Sequence, residues 1–360
     1  MFELITVLAE RHEVSLVVRV PVGDEASLND VRSLCKEVYP VAYPRPARRS
    51  VFTIAGVIRS YYRLCRKADE IADREQFDSI HAEWTETGMF LKRRKTRMAI
   101  EAHDVLTKPM ERRFRNAKGL RRFFFLFACR LTRAFELRVY AKFDRVFVLS
   151  EYDRKYLLSL SPSLDPRVLT YPGGAQGTAR QFERKENSLL FLAAMDRGPN
   201  VEAALYFWND VLPQVRREVP DVTFFIVGSR PLPEVRALAE KDGSTIVTGF
   251  VDDIEPWYRK ATVFVAPLLT GGGIIVKILD ALASGTPVVT TSVGNEGIGA
   301  TPGEHLLIGD TSAEFARQVV RLLRSSALRE SVGRAGKDFI AGRFSKDSLR
   351  KALQEYYPGE

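Results

Sequence analysis

The chain has 360 residues, 45% hydrophobic and 28% charged, with 24 Gly and 18 Pro; that ordinary globular mix excludes a disordered or collagen-like protein. Its three cysteines, Cys35, Cys65 and Cys129, lie far apart without a CxxC pair, which argues against a zinc ribbon or a disulfide scaffold. Net charge is +9, and residues 1–180 hold the excess, with 33 Lys+Arg against 22 Asp+Glu.

Most of that excess falls in residues 92–145, with 17 basic and 5 acidic side chains. Such a block fits an anionic partner (a membrane surface, a nucleic acid or a phosphorylated ligand) or simply a solvated helical face. No nucleic-acid recognition motif accompanies the charge, so nucleic acid is not the expected partner. The apolar run from Phe123 to Cys129 is far too short to span a bilayer. Met1 is followed by Glu3 and Glu10 rather than a basic leader, so the expected home is a reducing cytoplasm. At about 150 residues per domain, the length predicts two domains.

In chain order, the first half reads as helix Phe2–Arg11, strand Val14–Val20, helix Leu28–Lys36, strand Glu37–Ala42 and helix Phe52–Arg66. Strands Phe77–His81 and Arg97–Ala102, a long helical tract Leu106–Lys142, strand Val146–Leu149 and helix Tyr152–Leu160 follow. The expected domains are 1–172, then a linker over 173–187 opened by Pro172-Gly173-Gly174, then 188–344. Residues 345–360 form a terminal helix that crosses back to the first domain. The second half alternates more cleanly: Ser188–Ala194, Val201–Glu218, Val222–Val227, Leu232–Lys241, Thr245–Thr248, Thr262–Ala266, Ile274–Ser284, Pro287–Thr290 and His305–Ile308. Short apolar runs without alternation are strands buried on both faces, and intervening helices are their crossovers. The fold class is therefore α/β, with doubly wound parallel sheets.

A doubly wound domain normally opens on a central strand, whereas this chain opens inside a helix. Strands Val14–Val20 and Phe77–His81 would then lack a shared neighbour, so either a first strand is missing, which we expect, or the sheet closes over a gap.

The strongest chemical signal runs from Val265-Ala266-Pro267 through Gly271-Gly272-Gly273 into Ile274-Ile275-Val276-Lys277 and on to Asp280. A strand ends, glycines turn the chain, and a helix begins. Glycine backbone admits close approach of a ligand, and the helix start offers free N–H groups and a partial positive charge. That suits a diphosphate, with Lys277 neutralising it and Asp280 reaching ribose hydroxyls. A Gly-rich turn with Lys277 and Asp280 as a surface pair fits the same spacing. The tract Arg121-Arg122-Phe123-Phe124-Phe125-Leu126-Phe127, with Arg130 and Arg133, has two uses. Its apolar side serves as domain core, the commoner case, or rests on an anionic bilayer.

Taken together, Gly249-Phe250-Val251-Asp252-Asp253, Ala266-Pro267, Gly271-Gly272-Gly273, Lys277-Ile278-Leu279-Asp280-Ala281, Gly285-Thr286-Pro287-Val288-Val289 and Gly294-Asn295-Glu296-Gly297 resemble the family 4 (group 1) glycosyltransferases. The match spans about Asn187 to Gly342. Ile80-His81-Ala82-Glu83-Trp84-Thr85, Ala102-His103-Asp104 and Val148-Leu149-Ser150-Glu151 extend it more loosely. The resemblance implies a GT-B fold: two Rossmann-like domains facing a cleft, with the nucleoside diphosphate sugar donor on the C-terminal one and the acceptor towards the N-terminal one. It implies a hexosyl-type transferase that retains anomeric configuration without metal or cofactor.

Residue by residue, the resemblance assigns the diphosphate and donor sugar to Gly271, Gly272, Gly273, Ile274 and Ile275. Asp280 takes the ribose-binding acid position, with Gly272 where many members carry another glutamate. Gly249, Phe250 and Val251 are expected against the nucleobase; Arg197, in the loop after the first strand of this half, is a candidate second phosphate cation, and Glu296, which follows a strand, is a candidate to face the cleft. Lys277 and His103 are the catalytic candidates, and His103 follows a strand at its carboxyl end, where α/β sites collect. A neutral histidine bonded within a loop is the alternative for His103. His81 and Glu83 are acceptor-side candidates, His305 is structural and His12 exposed. Set against the resemblance, the family's N-terminal strand and Gly-rich acceptor loop are expected to be missing from this sequence.

The resulting expectation is a cytoplasmic glycosyltransferase, peripheral at the inner membrane face, building a cell-surface polysaccharide or glycolipid. Two alternatives stay open: a non-catalytic nucleotide-sugar-binding scaffold and a GT-B nucleotide-sugar epimerase.

Overall fold

The computed structural model describes residues 2–44, 51–173, 185–270 and 273–357. The chain forms two compact units: Met1–Tyr171 with Lys346–Glu360, and Pro172–Ser345.

In the first unit, β1 (Ser15–Pro21) pairs, among the described residues, only with β2 (Glu37–Tyr43). A separate parallel sheet runs β3 (Ser79–Glu83), β4 (Arg97–Ala102), β5 (Arg145–Val148), β6 (Arg167–Val168) in that order. Both β1 and β3 are thus outer strands, with no strand among the described residues joining the two sheets. Alternation along β4 divides its neighbours. Met98, Ile100 and Ala102 pack in one buried cluster with Val139, Tyr140 and Leu157, while Ala99 joins Leu4 and Val7 of α1 (Phe2–Ala9) in another.

Helix α2 (Val51–Arg74) extends a full two turns past the expected Arg66, whereas the expected helix over 28–36 is reduced to one turn at Asn29–Arg32. The expected single tract Leu106–Lys142 breaks into α3 (Thr107–Asn116) and α4 (Leu120–Tyr140). Gly119 supplies the break, at φ +57°, a conformation other residues resist. Helix α3 starts without a capping side chain of its own, and Glu136 of α4 takes that role. Its buried carboxylate accepts from Leu106 N–H at 2.6 Å, Thr107 N–H at 3.2 Å and Thr107 Oγ1 at 2.6 Å. Burial raises the Glu136 pKa, and these donors oppose that rise.

The aromatic tract does not supply domain core. Phe123, Phe124 and Phe127 are exposed, because the buried face of α4 comes from its C-terminal half, Glu136, Val139 and Tyr140.

In the second unit, β7 (Ser188–Leu192), β8 (Thr223–Val227), β9 (Thr245–Gly249), β10 (Val263–Ala266), β11 (Val288–Thr290) and β12 (Leu307–Ile308) make one parallel sheet ordered β12-β11-β10-β7-β8-β9. Leu189 and Phe191 enter one buried cluster and Leu190 the other, as strands covered on both faces require. Strand order reverses between β7 and β10, the point where ligands of such sheets bind beyond the strands' carboxyl ends. Two helices start there: α5 (Gly198–Tyr206) and α6 (Val276–Ala283).

The last helix, α7 (Lys346–Gln354), belongs to the first unit. Its Leu349 and Leu353 pack with Leu4 and Val7 of α1, and Arg350 pairs with Glu10.

Candidate functional site

The switch point of the second unit collects positive charge and free backbone donors. Gly271 and Gly272 lie outside the described residues. Gly273 is buried at φ +70°, the left-handed turn that sends the chain into α6. A Cβ on Gly297 would stand 2.1 Å from the Gly273 carbonyl oxygen. The Gly294–Gly297 segment therefore backs the turn directly and brings half-buried Glu296 next to it. Thr290 and Thr291 hold the preceding stretch, donating to the Ala266 and Leu268 carbonyls at 2.8 and 2.6 Å.

Ile275 occupies the N-cap of α6 with no side-chain cap bond, so the first N–H groups of the helix are left for a ligand. Lys277 follows on the first turn. Its Nζ donates to Asn200 Oδ1 at 2.7 Å and lies 5.1 Å from the Phe191 ring centroid. Burial, and then the Arg197 charge, push its pKa down to about 8. Arg197 is exposed at the N-cap of α5. Lys277 and Arg197 have no ion pair with a carboxylate among the described residues. Two cations thus stand near each other where α5 and α6 start, with a neutral amide and an aromatic ring beside Lys277, an arrangement that an anion completes.

Asp280 is half-buried and its charge acts on Tyr258, whose pKa is raised first by burial and then by Asp280. Tyr258 Oη donates to the Lys277 carbonyl at 3.2 Å. Gly249, at φ +77°, accepts through its carbonyl from Gly228 N–H at 3.0 Å. A Cβ on Gly228 would lie 1.8 Å from the Ala193 carbonyl oxygen, so only glycine lets the β7 and β8 loops close. Phe250 is exposed beyond β9, and Val251 is partly buried against the core.

In the first unit, period-two alternation places His81 and Glu83 of β3 beside Glu101 of β4 and His103 just beyond it. Glu83 and Glu101 are register partners, two carboxylates that repel. His103 Nε2 stands 3.2 Å from Glu101 Oε1 and 3.4 Å from Glu83 Oε2. Burial lowers the His103 pKa, but the two carboxylates outweigh it and the net shift is upward. Burial raises the Glu83 pKa, but His103 foremost, with His81 and the chain's amino terminus, outweighs it and the net shift is downward. Fully buried Glu101 also accepts from Tyr171 Oη and lies 3.7 Å from His81 Nε2. His81 Nδ1 meets Tyr357 Oη at 2.8 Å. Trp84, at φ +73°, stacks on His103 with ring centroids 4.1 Å apart.

His103 is therefore held on three sides, by Glu83, Glu101 and the Trp84 ring. Glu83, Glu101 and His103 each offer one ligand atom within 4.8 Å of the others, so a proton on His103 or a divalent ion would satisfy the same atoms. Of the remaining histidines, His305 stacks on Phe339 at 4.6 Å and accepts from Thr301 N–H. His12 is half-buried beside Tyr357, not exposed as expected.

Glu101, Tyr171, Tyr357, Asn200, Thr290 and Thr291 were not legible as site-forming from the sequence. Glu101 alone carried a local signal, two residues before His103 on the same strand face.

These features define a GT-B-type glycosyltransferase fold of two Rossmann-like domains. The profile described as Glycosyltransferase Family 4 matches residues 1–173, and that described as Glycosyl transferases group 1 matches residues 186–325. The chain belongs to this glycosyltransferase family. A phosphatidyl-myo-inositol mannosyltransferase of Mycobacterium leprae is 31% identical over 44% of this chain and 43% of its own length. An uncharacterised 44.6 kDa protein of the Klebsiella pneumoniae cps region is 27% identical over 42% of this chain and 41% of its own. The chain thus aligns with less than half of each relative's length. Among solved structures, Anabaena HepE in complex with UDP and glucose has a TM-score of 0.66 at 13% identity, covering 100% of this chain and 95% of that one. The N-terminal domain of Candida albicans trehalose-6-phosphate phosphatase reaches 0.70 at 9% identity, covering 100% and 92%. Likeness at such identity speaks for the fold alone.

Proposed function

We propose that the chain is a retaining, metal-independent hexosyltransferase that moves a sugar from a nucleoside diphosphate donor to a glycan or lipid-linked acceptor in cell-surface polysaccharide or glycolipid synthesis. The observation that carries this reading is Lys277 at the uncapped start of α6 with Arg197 at the start of α5 nearby, a cationic site on the switch point. The mannosyltransferase and cps-region relatives point the same way.

In this reading, Lys277 and the first amides of α6 stabilise the departing diphosphate, whose growing charge is the main demand on the site. Gly273 and Ile274 shape the turn around it, and Gly271 and Gly272, outside the described residues, are assigned to the same diphosphate by the resemblance. Asp280 holds the ribose, Gly249, Phe250 and Val251 take the base, and Glu296 stands beside the loop. His103 acts on the sugar, oriented by Glu83 and Glu101, with His81 and Glu83 on the acceptor side. The leaving phosphate takes the acceptor proton, so no strong protein base is needed. The acceptor places the enzyme at the inner face of the membrane, in the cytoplasm.

The test is a thermal-shift titration with uridine, guanosine, adenosine and thymidine diphosphates. Ligand at a hundred times its Kd stabilises the native state by about 2.7 kcal/mol, so one nucleotide should raise the melting temperature and name the donor class. No shift with any, in a folded sample, overturns the reading. Turnover that persists unchanged in excess chelator supports metal independence.

A further inference from the structure

We infer that α4 is an interfacial helix that seats the first unit on an anionic lipid bilayer. Leu120, Phe123, Phe124, Phe127 and Leu131 are between 61% and 87% exposed. At 3.6 residues per turn, they fall within an arc of about 100°, a single apolar stripe along the outer side of the helix. The buried residues of α4, Glu136, Val139 and Tyr140, lie off that arc. Scattered exposed apolar residues need no explanation, but five in one stripe form a patch that marks an interaction surface.

The rim of the stripe fixes the chemistry of what covers it. Exposed Arg121 and Arg130 flank it, exposed Arg138 continues its line towards the helix C-terminus, and exposed Lys118 stands just before the helix. None of these has an ion pair with a carboxylate among the described residues. The two acids of the α3–α4 hairpin are spent elsewhere: Glu136 is buried on Thr107, and Glu111 meets Arg115 at 3.4 Å. An apolar stripe bordered by unpaired cations matches the boundary between acyl chains and anionic headgroups. A second copy of the chain would bring its own cationic rim against this one, which charge repulsion opposes. No helix among the described residues is long and apolar enough to cross a membrane, so α4 lies on the bilayer rather than spanning it.

The inference deepens the lipid-linked reading of the acceptor, and rests on that reading only for the purpose of the contact. Its test is sedimentation of the full chain with phosphatidylcholine vesicles, with and without about 30% phosphatidylglycerol. Wild type should pellet with the anionic vesicles and bind neutral ones at least tenfold more weakly. Phe123→Ser/Phe124→Ser/Phe127→Ser should lose at least tenfold on anionic vesicles, and Arg121→Gln/Arg130→Gln/Arg138→Gln several-fold. All six positions are exposed, and circular dichroism checks the fold. The nucleotide thermal shift should persist in both variants, so the donor reading can fail or stand independently of this one. Wild type that stays in solution with anionic vesicles, or a Phe variant that pellets like wild type, overturns the inference. So does light scattering that shows a dimer dissolved by the Phe substitutions without vesicle binding.

Discussion

The two units build polar clusters at the carboxyl ends of parallel strands, and the clusters are electrostatic opposites. In the second unit, Lys277 and Arg197 stand where two helices start, with Asn200 beside Lys277 and no ion-paired carboxylate among the described residues. In the first, His103 stands between Glu83 and Glu101, while Tyr171 and His81 approach Glu101 from its other oxygen. One cluster waits for a charge from outside; the other carries its own counter-charge. The difference teaches where a ligand's charge is needed and where only the orientation of a ring is held. An open cationic site gains its energy on binding. A closed pair holds its ring in place whether or not a ligand is present.

Removing charge from the open site should have the largest effect. Lys277→Ala is expected to weaken binding of the preferred nucleoside diphosphate by about 10- to 100-fold, or 1.4–2.8 kcal/mol, and to lower kcat/KM at least about tenfold. Isothermal titration and steady-state rates check this. Unchanged values in a folded protein remove Lys277 from the site. Asn200→Asp is the sharper experiment, because it gives the open site the internal partner that the other cluster already has. Affinity should fall about tenfold as the new carboxylate pairs with Lys277 and repels the phosphates. An affinity that stays level would mean that the cation does not face the ligand.

The same lysine gives a pH signature. Its pKa lies near 8, so its charge is mostly present at neutral pH and mostly lost about one unit above that value. Diphosphate affinity should therefore fall by about five- to tenfold from pH 7 to 9. Lys277→Arg, which keeps its charge throughout, should flatten the slope. A slope that survives the substitution would assign the titration to another group.

What the sequence disclosed follows the same division. The open site was readable because its parts are local: glycines, a helix start and Lys277 within a few residues, set in clean strand–helix alternation. The closed cluster was half-readable. His103 stood out, whereas Tyr171 and Tyr357 reach it from 68 and 254 residues further along the chain, a juxtaposition only the fold creates. The aromatic tract misled for a different reason. An apolar helical stripe looks the same whether it meets core or membrane, and only the burial of Glu136, Val139 and Tyr140 shows which side of α4 faces inward.

The smallest expected effect probes the closed cluster through stability alone. His103 is raised above its ordinary pKa, so its contribution is fully present below the unfolded imidazole value and lost as pH rises through the folded one. Glu83 is lowered, so its contribution is fully present above the unfolded carboxyl value and lost as pH falls through the folded one. Both operate fully between about pH 4.5 and 6.5. His103→Gln should cost about 1 kcal/mol there, a few degrees in melting temperature, and the gap from wild type should close as pH rises through the raised His103 value. Chelator decides between the two species that Glu83, Glu101 and His103 could share. A proton-held cluster melts identically with or without it. A gap that widened with pH and vanished with chelator would mean a cation between the three atoms, and with it a role for metal that the donor reading excludes.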